Sequence, residues 1–498
     1  MERTMDQVKF FWIQMSAETA NLIVGLLGLL TIVAIVITLF KSKTQPAIAF
    51  IVWPALLGIL LVIGGRYDFD NLAIMIKAGF NSTAPTAALF VFSVLYFGIM
   101  TDAGMFDVII NKLMKLVGDN VVGVCVMTAV IALVGHLDGG GASTFCIVIP
   151  AMLPVYKKMH MRKTTLLRIA VLAMGVLNLM PWAGPTMRAA SVLGEDWPAS
   201  TLWRYILPIQ IFGVLLAIAH AVLAGFQEKK RGAGLNGKLA RESGPEDLEE
   251  EAQAAASNSS ELARPKLFIF NILLTLAVIA MLIWDVFPSY LPFMIGVAIA
   301  LFVNYGFTAK MHKKIINLHA GPALMMCSTL MGAAVLMGIL TSSLQVKLDD
   351  AGKEVWSVVS AKVTTLPDNT LPSVVRCLAG IVSDILPSFL GQNLPLVIGI
   401  LSVPLALAFD TDSYFYGMLP VMIGIGQAFG VEALPIAVAM VVCRNCATFI
   451  SPMVPATLLG TGLAEVDIKD HIKASFLYVW IFSILCMIVG VIFGKIPI

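Results

Sequence analysis

Charge is scarce in this chain. Only 13% of its 498 residues are Asp, Glu, Lys or Arg, about half the usual share in a soluble protein. The signs nearly cancel, 33 basic against 31 acidic, for a net charge of +2. The basic excess that a nucleic-acid surface requires is therefore missing. No His-Glu-x-x-His occurs, nor any His–Ser or Asp–Asp pair in an intramembrane-protease setting, which argues against an enzyme. The seven cysteines (Cys125, Cys146, Cys327, Cys377, Cys443, Cys446, Cys486) lie in or beside apolar runs. They read as small packing residues and not as a disulfide framework. Cys443-x-x-Cys446 has zinc-ligand spacing but lacks a second pair. The stretch 1–21 mixes acidic with basic residues and has no small-residue cleavage site, so a cleaved signal peptide is not expected.

What is abundant is apolar surface: 58% of residues are hydrophobic and the mean hydropathy is +0.89. A soluble fold would have to expose much of this to water, so the chain reads as a polytopic membrane protein. Runs long enough to span a bilayer fall at 20–40, 45–64, 84–104, 165–194, 201–225, 267–285, 290–306, 323–343, 433–460 and 473–495. Two more apolar stretches, 119–157 and 390–428, are interrupted by Asp138–Thr144 and by Asp410–Ser413. Amphipathic stretches precede them, at 105–118 and about 371–388. Polar, glycine-rich backbone at membrane depth is tolerated only where protein or water satisfies it. Both are read as re-entrant hairpins.

Residues 226–265 carry Lys229-Lys230-Arg231, Glu249-Glu250-Glu251 and the tract AQAAASNSS. They read as a flexible linker between halves 1–225 and 266–498. The halves resemble each other. Met174–Gly194 aligns without a gap on Met440–Gly460, and each segment has two prolines in mid-helix: Pro181 and Pro185, then Pro452 and Pro455. Interior proline breaks a helix, and matched breaks in two halves point to a transporter site. The predicted fold is all-α, with two repeats of five spans, each holding one hairpin and one broken helix. An odd span number makes the repeats inverted. Lys41, Lys43, Lys157, Lys158, Arg162, Lys163, Arg168, Lys310, Lys313 and Lys314 mark one side as cytoplasmic. The linker then lies inside and both termini outside.

The candidate residues sit at the interruptions. Asp138, Asp410 and Asp412 are carboxylates within apolar segments, where ionisable groups are costly and usually functional. They are the predicted metal- or proton-coupling groups, with a solvated surface loop as the alternative. Gly140 and Gly141 allow close backbone approach. Ser143, Thr144, Thr186, Thr448 and Ser451 offer hydroxyls to a carboxylate or a cation, or simply pack. Arg188 has the planar fork that suits a carboxylate, or it could serve a structural pairing. Arg444 on the other broken helix carries less weight, and His136 reads as a structural histidine before a proton carrier. Asn178, Gly184, Pro185, Ser413, Asn445 and Pro452 complete the predicted substrate-binding set. A passive anion channel would fit matched broken helices too, but its flux would ignore ion gradients.

At these residues the chain resembles the CitMHS-type family of citrate–divalent metal–proton symporters. The motifs are His136-Leu-Asp138-Gly-Gly-Gly-Ala-Ser143-Thr144, Pro150-Ala-Met-Leu-Pro154-Val-Tyr156, and Asn178-Leu-Met-Pro181-Trp182-Ala-Gly184-Pro185-Thr186-Met-Arg188. The second half adds Asn304-Tyr305, His319-Ala320, Asp412-Ser-Tyr414-Phe-Tyr416-Gly417 and Ser451-Pro452 in matching order. The chain departs from the family's pattern at Gly140, Ala183, Asn445 and Thr448. The resemblance implies symport of citrate complexed with Mg2+ or Ca2+, driven by protons, by an elevator-type homodimer of the plasma membrane with no resident cofactor. The alternative it leaves is a sodium-coupled dicarboxylate or hydroxy-acid carrier.

Overall fold

The structure, a computed structural model, describes residues 7–41, 45–114, 120–235, 237–238, 262–284, 287–348, 354–359, 366–367 and 369–497. The first half begins with helices Ala17–Lys41, Pro46–Ile63 and Phe69–Asp102, followed by the short amphipathic helix Met105–Met114. Next come the arms of the first hairpin, Val121–Gly135 and Gly141–Lys158. The first broken helix follows as Lys163–Leu177 and Gly184–Leu193, and Ala199–Arg231 closes the half. The second half repeats this order. Helices Phe268–Trp284, Tyr290–Tyr305 and Ala309–Thr341 lead to the amphipathic helix Val374–Ile385. The second hairpin is Leu394–Ala408 returning through Ser413–Met418 and Leu419–Ala428. The second broken helix is Ala433–Arg444 and Pro455–Leu463, and Ile468–Ile492 comes last.

Among the described residues, eight helices are long and apolar enough to cross a membrane. One of them, Val121–Asp138, folds back at Gly139, whose φ of +72° suits glycine. Helix starts follow local capping. The Asp68 carboxylate accepts from Asn71 N at 2.6 Å, and Asn120 Oδ1 accepts from Val122 N at 3.0 Å, each satisfying an orphan donor of a first turn.

Several boundaries differ from the sequence reading. The third span starts at Phe69, not 84, because Lys77, Asn81 and Ser82 dilute its hydropathy without breaking the helix. The expected linker start at 226 lies inside a helix that runs on to Arg231. Glu228, fully buried, accepts from Arg162 Nε (2.6 Å) and Thr165 Oγ1 (2.7 Å), which holds this charged end helical until Gly232 stops it at φ +98°. Residues 239–261 of the linker and 115–118 of the first amphipathic stretch lie outside the described residues. The fold is also not purely helical. Ser343–Leu348 pairs antiparallel with Glu354–Val359 (Ser343 opposite Val359) and with Thr370–Leu371. Gln7–Phe10 pairs with Ile13–Ser16. These strands are too short and too mixed in polarity to stand out beside 20-residue apolar runs.

Two packing groups emerge. Phe69–Asp102 lies along Ala309–Thr341 and Tyr290–Tyr305, while the hairpins pack with the broken helices and the last helix of each half. The first group is held by glycine. A Cβ on Gly79 would sit 2.0 Å from the Ala334 carbonyl oxygen, and one on Gly338 2.5 Å from that of Met75. The two backbones therefore touch, as small residues allow between membrane helices.

Contacts also define two ends. At one, Leu193, Trp197, Thr341, Ser373, Gln427 and Glu432 line a cavity of about 350 Å3. At the other, Lys157 and Lys163 both pair with Glu465, holding its carboxyl below the usual range. Gly234 N donates to Met159 O (2.8 Å) and Arg264 N to Ala103 O (2.9 Å) at that same end.

Gly79→Val is expected to force the two helices apart and cost about 1–3 kcal/mol or more, as overpacking does. A lower melting temperature in detergent, with Gly380→Ala (open space around its Cβ position) as the control, checks this.

Candidate functional site

The first hairpin turns through His136–Asp138 and restarts at Gly141. The Asp138 carboxylate accepts from Gly140 N at 2.7 Å and from the Ser143 hydroxyl. It thus closes an Asx turn just ahead of the returning arm and is tied to that arm's first turn through Ser143. Gly141 lies against Phe449, 2.5 Å from where its Cβ would be, so this tip presses on the second broken helix. Trp182 Nε1 donates to Leu137 O at 2.8 Å, fixing the tip to the first break.

The first broken helix stops at Asn178 and restarts at Gly184, with Pro185 in the first turn, where its missing N–H costs nothing. His136, fully buried, sits with Nδ1 2.7 Å from Thr144 Oγ1 and Nε2 3.2 Å from Asn178 Oδ1. Nε2 donates to Asn178 Oδ1, while Nδ1 faces the Thr144 hydroxyl, which also lies 2.7 Å from the Gly140 carbonyl. Asn178 Nδ2 then donates to the Asn445 carbonyl at 3.2 Å, and Thr186 Oγ1 to the Asn178 carbonyl at 3.2 Å. One polar chain therefore joins the first hairpin, the first break and the second break.

The second hairpin turns at Phe409–Asp412 and returns through a π-helical stretch, Ser413–Met418. Such wide turns are rare and frequent at functional sites. Asp410 Oδ1 accepts from Ser413 N at 3.1 Å, a local bond three residues on where that of Asp138 is two. Asp412 instead leaves its own half: Arg188 Nε donates to Asp412 Oδ1 at 2.6 Å. Both side chains are close to buried, at 8% and 13% exposure. Arg188 is thus held by a carboxylate of the protein. Arg444, at the second break, is fully buried. It donates to Thr411 Oγ1 (3.2 Å), Thr448 Oγ1 (3.1 Å) and Phe409 O (2.8 Å), with its guanidinium 4.8 Å from the Tyr414 ring centre.

Of the predicted residues, Asp138, Gly140, Gly141, Ser143, Thr144, Asn178 and Thr186 gather around the first tip and break. Arg188, Asp410, Asp412, Ser413 and Thr448 gather around the second. Asn445 bridges the two through its carbonyl. Gly184 and Pro185 open the helix that carries Arg188. Ser451, buried, caps Met453 N at 3.2 Å, and Pro452 lies half-buried in the same break. Sequence reasoning left out Thr411, Tyr414 and Tyr416 as site residues. Tyr414 and Tyr416 stand in the motif Asp412-Ser-Tyr-Phe-Tyr, but aromatic side chains in an apolar run look like packing. Tyr416 lines a small cleft with Gly184, Met187 and Arg188. The 350 Å3 cavity begins one turn further along, at Val192 and Pro420. Among the described residues, no three His, Cys, Asp or Glu side chains come together to hold a metal ion.

Asp412→Asn should leave Arg188 buried without its counter-charge and cost about 3–5 kcal/mol, seen as a large fall in melting temperature. The double variant Arg188→Met, Asp412→Leu should regain most of that stability.

The chain matches the profile of the CitMHS family, described as citrate transporter, over residues 11–443. It is 32% identical over 474 residues to a citrate transporter of Bacillus subtilis, covering 94% of this chain and 99% of that protein. It is 31% identical over 477 residues to a Mg(2+)/citrate complex secondary transporter of the same organism, covering 94% and 98%. In fold it is similar to the crystal structure of the Alcanivorax borkumensis YdaH transporter, with a TM-score of 0.54 at 14% identity, covering 86% of this chain and 89% of that one. By its matched length and by these relatives, this multi-pass membrane protein belongs to the CitMHS family of citrate transporters.

Proposed function

We propose that this protein carries citrate across the membrane as a complex with a divalent cation, in symport with protons. The observation that carries this reading is the 31% identity, across nearly the whole chain, to a transporter of the Mg(2+)/citrate complex. The chemistry agrees. Citrate is close to trivalent at neutral pH, and a divalent ion removes most of that charge before it enters a low-dielectric site. The protein gathers few free carboxylates at the breaks, since Asp138 is bonded within its own tip and Asp412 is paired. The metal would arrive already held by the substrate. The half-helices starting at Gly184 and Pro455 direct positive dipole ends into the breaks, where a carboxylate is favoured. Asp138 and Asp410 are the candidate proton partners.

The halves act as an inverted pair. Supporting this, the end of the first broken helix (Leu193) lies beside the second hairpin's outer turn (Gln427). The end of the second (Glu465) lies beside Lys157 and Lys163 of the first hairpin's outer turn. The hairpins and broken helices would move as one body against the glycine-packed group, in an elevator motion, within a homodimer. The basic end faces the cytoplasm, so the 350 Å3 cavity opens outward.

In proteoliposomes, citrate uptake is expected to require Mg2+ or Ca2+, to stop on chelation, and to rise with an inward proton gradient while sodium has no effect. Uptake that ignores divalent ions and requires sodium overturns the metal-complex reading in favour of a sodium-coupled carrier. For orientation, a cysteine at Ser257 should react with an impermeant reagent only after cells are permeabilised. Its labelling in intact cells reverses the assignment.

A further inference from the structure

The two buried arginines of the site differ in one respect. Arg188 is neutralised by Asp412. Arg444, with no exposed surface, is oriented by two hydroxyls, one carbonyl and one aromatic ring. None of those four partners carries a charge. Asp410 is the nearest carboxylate of the same tip, yet it points to Ser413 N and forms no ion pair with Arg444 among the described residues. Arg444 Nε has no hydrogen-bond partner.

The next residue shares the deficit: Asn445 Nδ2 is buried without a partner among the described residues, on a residue with no exposed surface. An amide NH2 and a guanidinium N–H both have hydrogen to give. Buried donors left unmet, one of them on a guanidinium that no carboxylate bonds, are costly and are relieved by an acceptor-rich anion. Asn178, which aligns with Arg444 in the two repeats, is by contrast fully engaged, through Oδ1 with His136 and through Nδ2 with the Asn445 carbonyl.

We infer that Arg444, with Asn445, forms the carboxylate-binding subsite of the transporter. In this arrangement Arg188 is a positioning residue that holds the second hairpin tip through Asp412. The inference rests on the proposal that the cargo is a polycarboxylate, and adds which end of the site grips it. A guanidinium approached through its free Nε edge selects a carboxylate oxygen over neutral polar groups.

Calorimetric titration of the purified full-length protein tests this, with citrate, malate, succinate and acetate, each with and without Mg2+. Arg444→Gln is expected to weaken the tightest-binding carboxylate by at least about 100-fold while the protein stays monodisperse and its melting temperature holds. Asn445→Asp places a carboxylate on the residue adjoining Arg444. It should likewise lose the ligand while keeping or raising thermal stability, because the fixed charge replaces the cargo. If Arg444→Gln fails to fold, Asn445→Asp decides, since Arg444 stays in place. Unchanged affinity in either folded variant overturns the inference. If the wild type binds malate or succinate but not citrate, the citrate reading fails while the subsite is still tested on that ligand. If it binds none of the four, both fail.

Discussion

Everything at the centre of this protein follows from one constraint: backbone polar groups at membrane depth must be satisfied by protein. Breaking a helix there strands carbonyls and N–H groups that an unbroken helix would pair within itself. The chain does this twice and meets the need both within each half and between them. The Phe409 carbonyl is taken by Arg444 and the Leu137 carbonyl by Trp182, each inside its own half. The Asn445 carbonyl is taken by Asn178 of the other half. An isolated second half would leave that carbonyl without this partner. The breaks and the hairpin tips are therefore linked into one unit across the two halves.

Much of this was legible in the sequence. The hairpins announced themselves because Asp138–Thr144 and Asp410–Ser413 cannot lie in hydrocarbon as ordinary helix. The broken helices were visible through Pro181, Pro185, Pro452 and Pro455, and family motifs fell on the same positions. What could not be read was pairing. No periodicity tells that Arg188 meets a carboxylate 224 positions away, or that Arg444 is held by two hydroxyls and a carbonyl. Sequence weight for carboxylate binding went to Arg188, whose fork the structure shows paired with Asp412. The small sheet around Ser343–Leu348 was missed for another reason: six-residue strands of mixed polarity carry almost no signal beside long apolar helices.

The acidic residues show how one residue type takes different work from its surroundings. Asp138 and Asp410 each accept from a backbone N–H two or three residues on at the hairpin tip, so the geometry of both is local. Asp412, two positions on, reaches across to the first half instead. The π-helical turn beginning at Ser413 accounts for part of this difference. It widens the chain just after Asp412, and it carries the buried side chains of Tyr414 and Tyr416 alongside Arg444 and Arg188.

The contact between Phe69–Asp102 and Ala309–Thr341 has a mechanical meaning. Where Gly79 meets the Ala334 carbonyl and Gly338 meets that of Met75, no side chain intervenes. Side chains can absorb displacement by changing rotamer; touching backbones cannot. This pair is a stiff strut with almost no give along its length. A displacement imposed on one of these helices is passed directly to the other, and is not taken up between them.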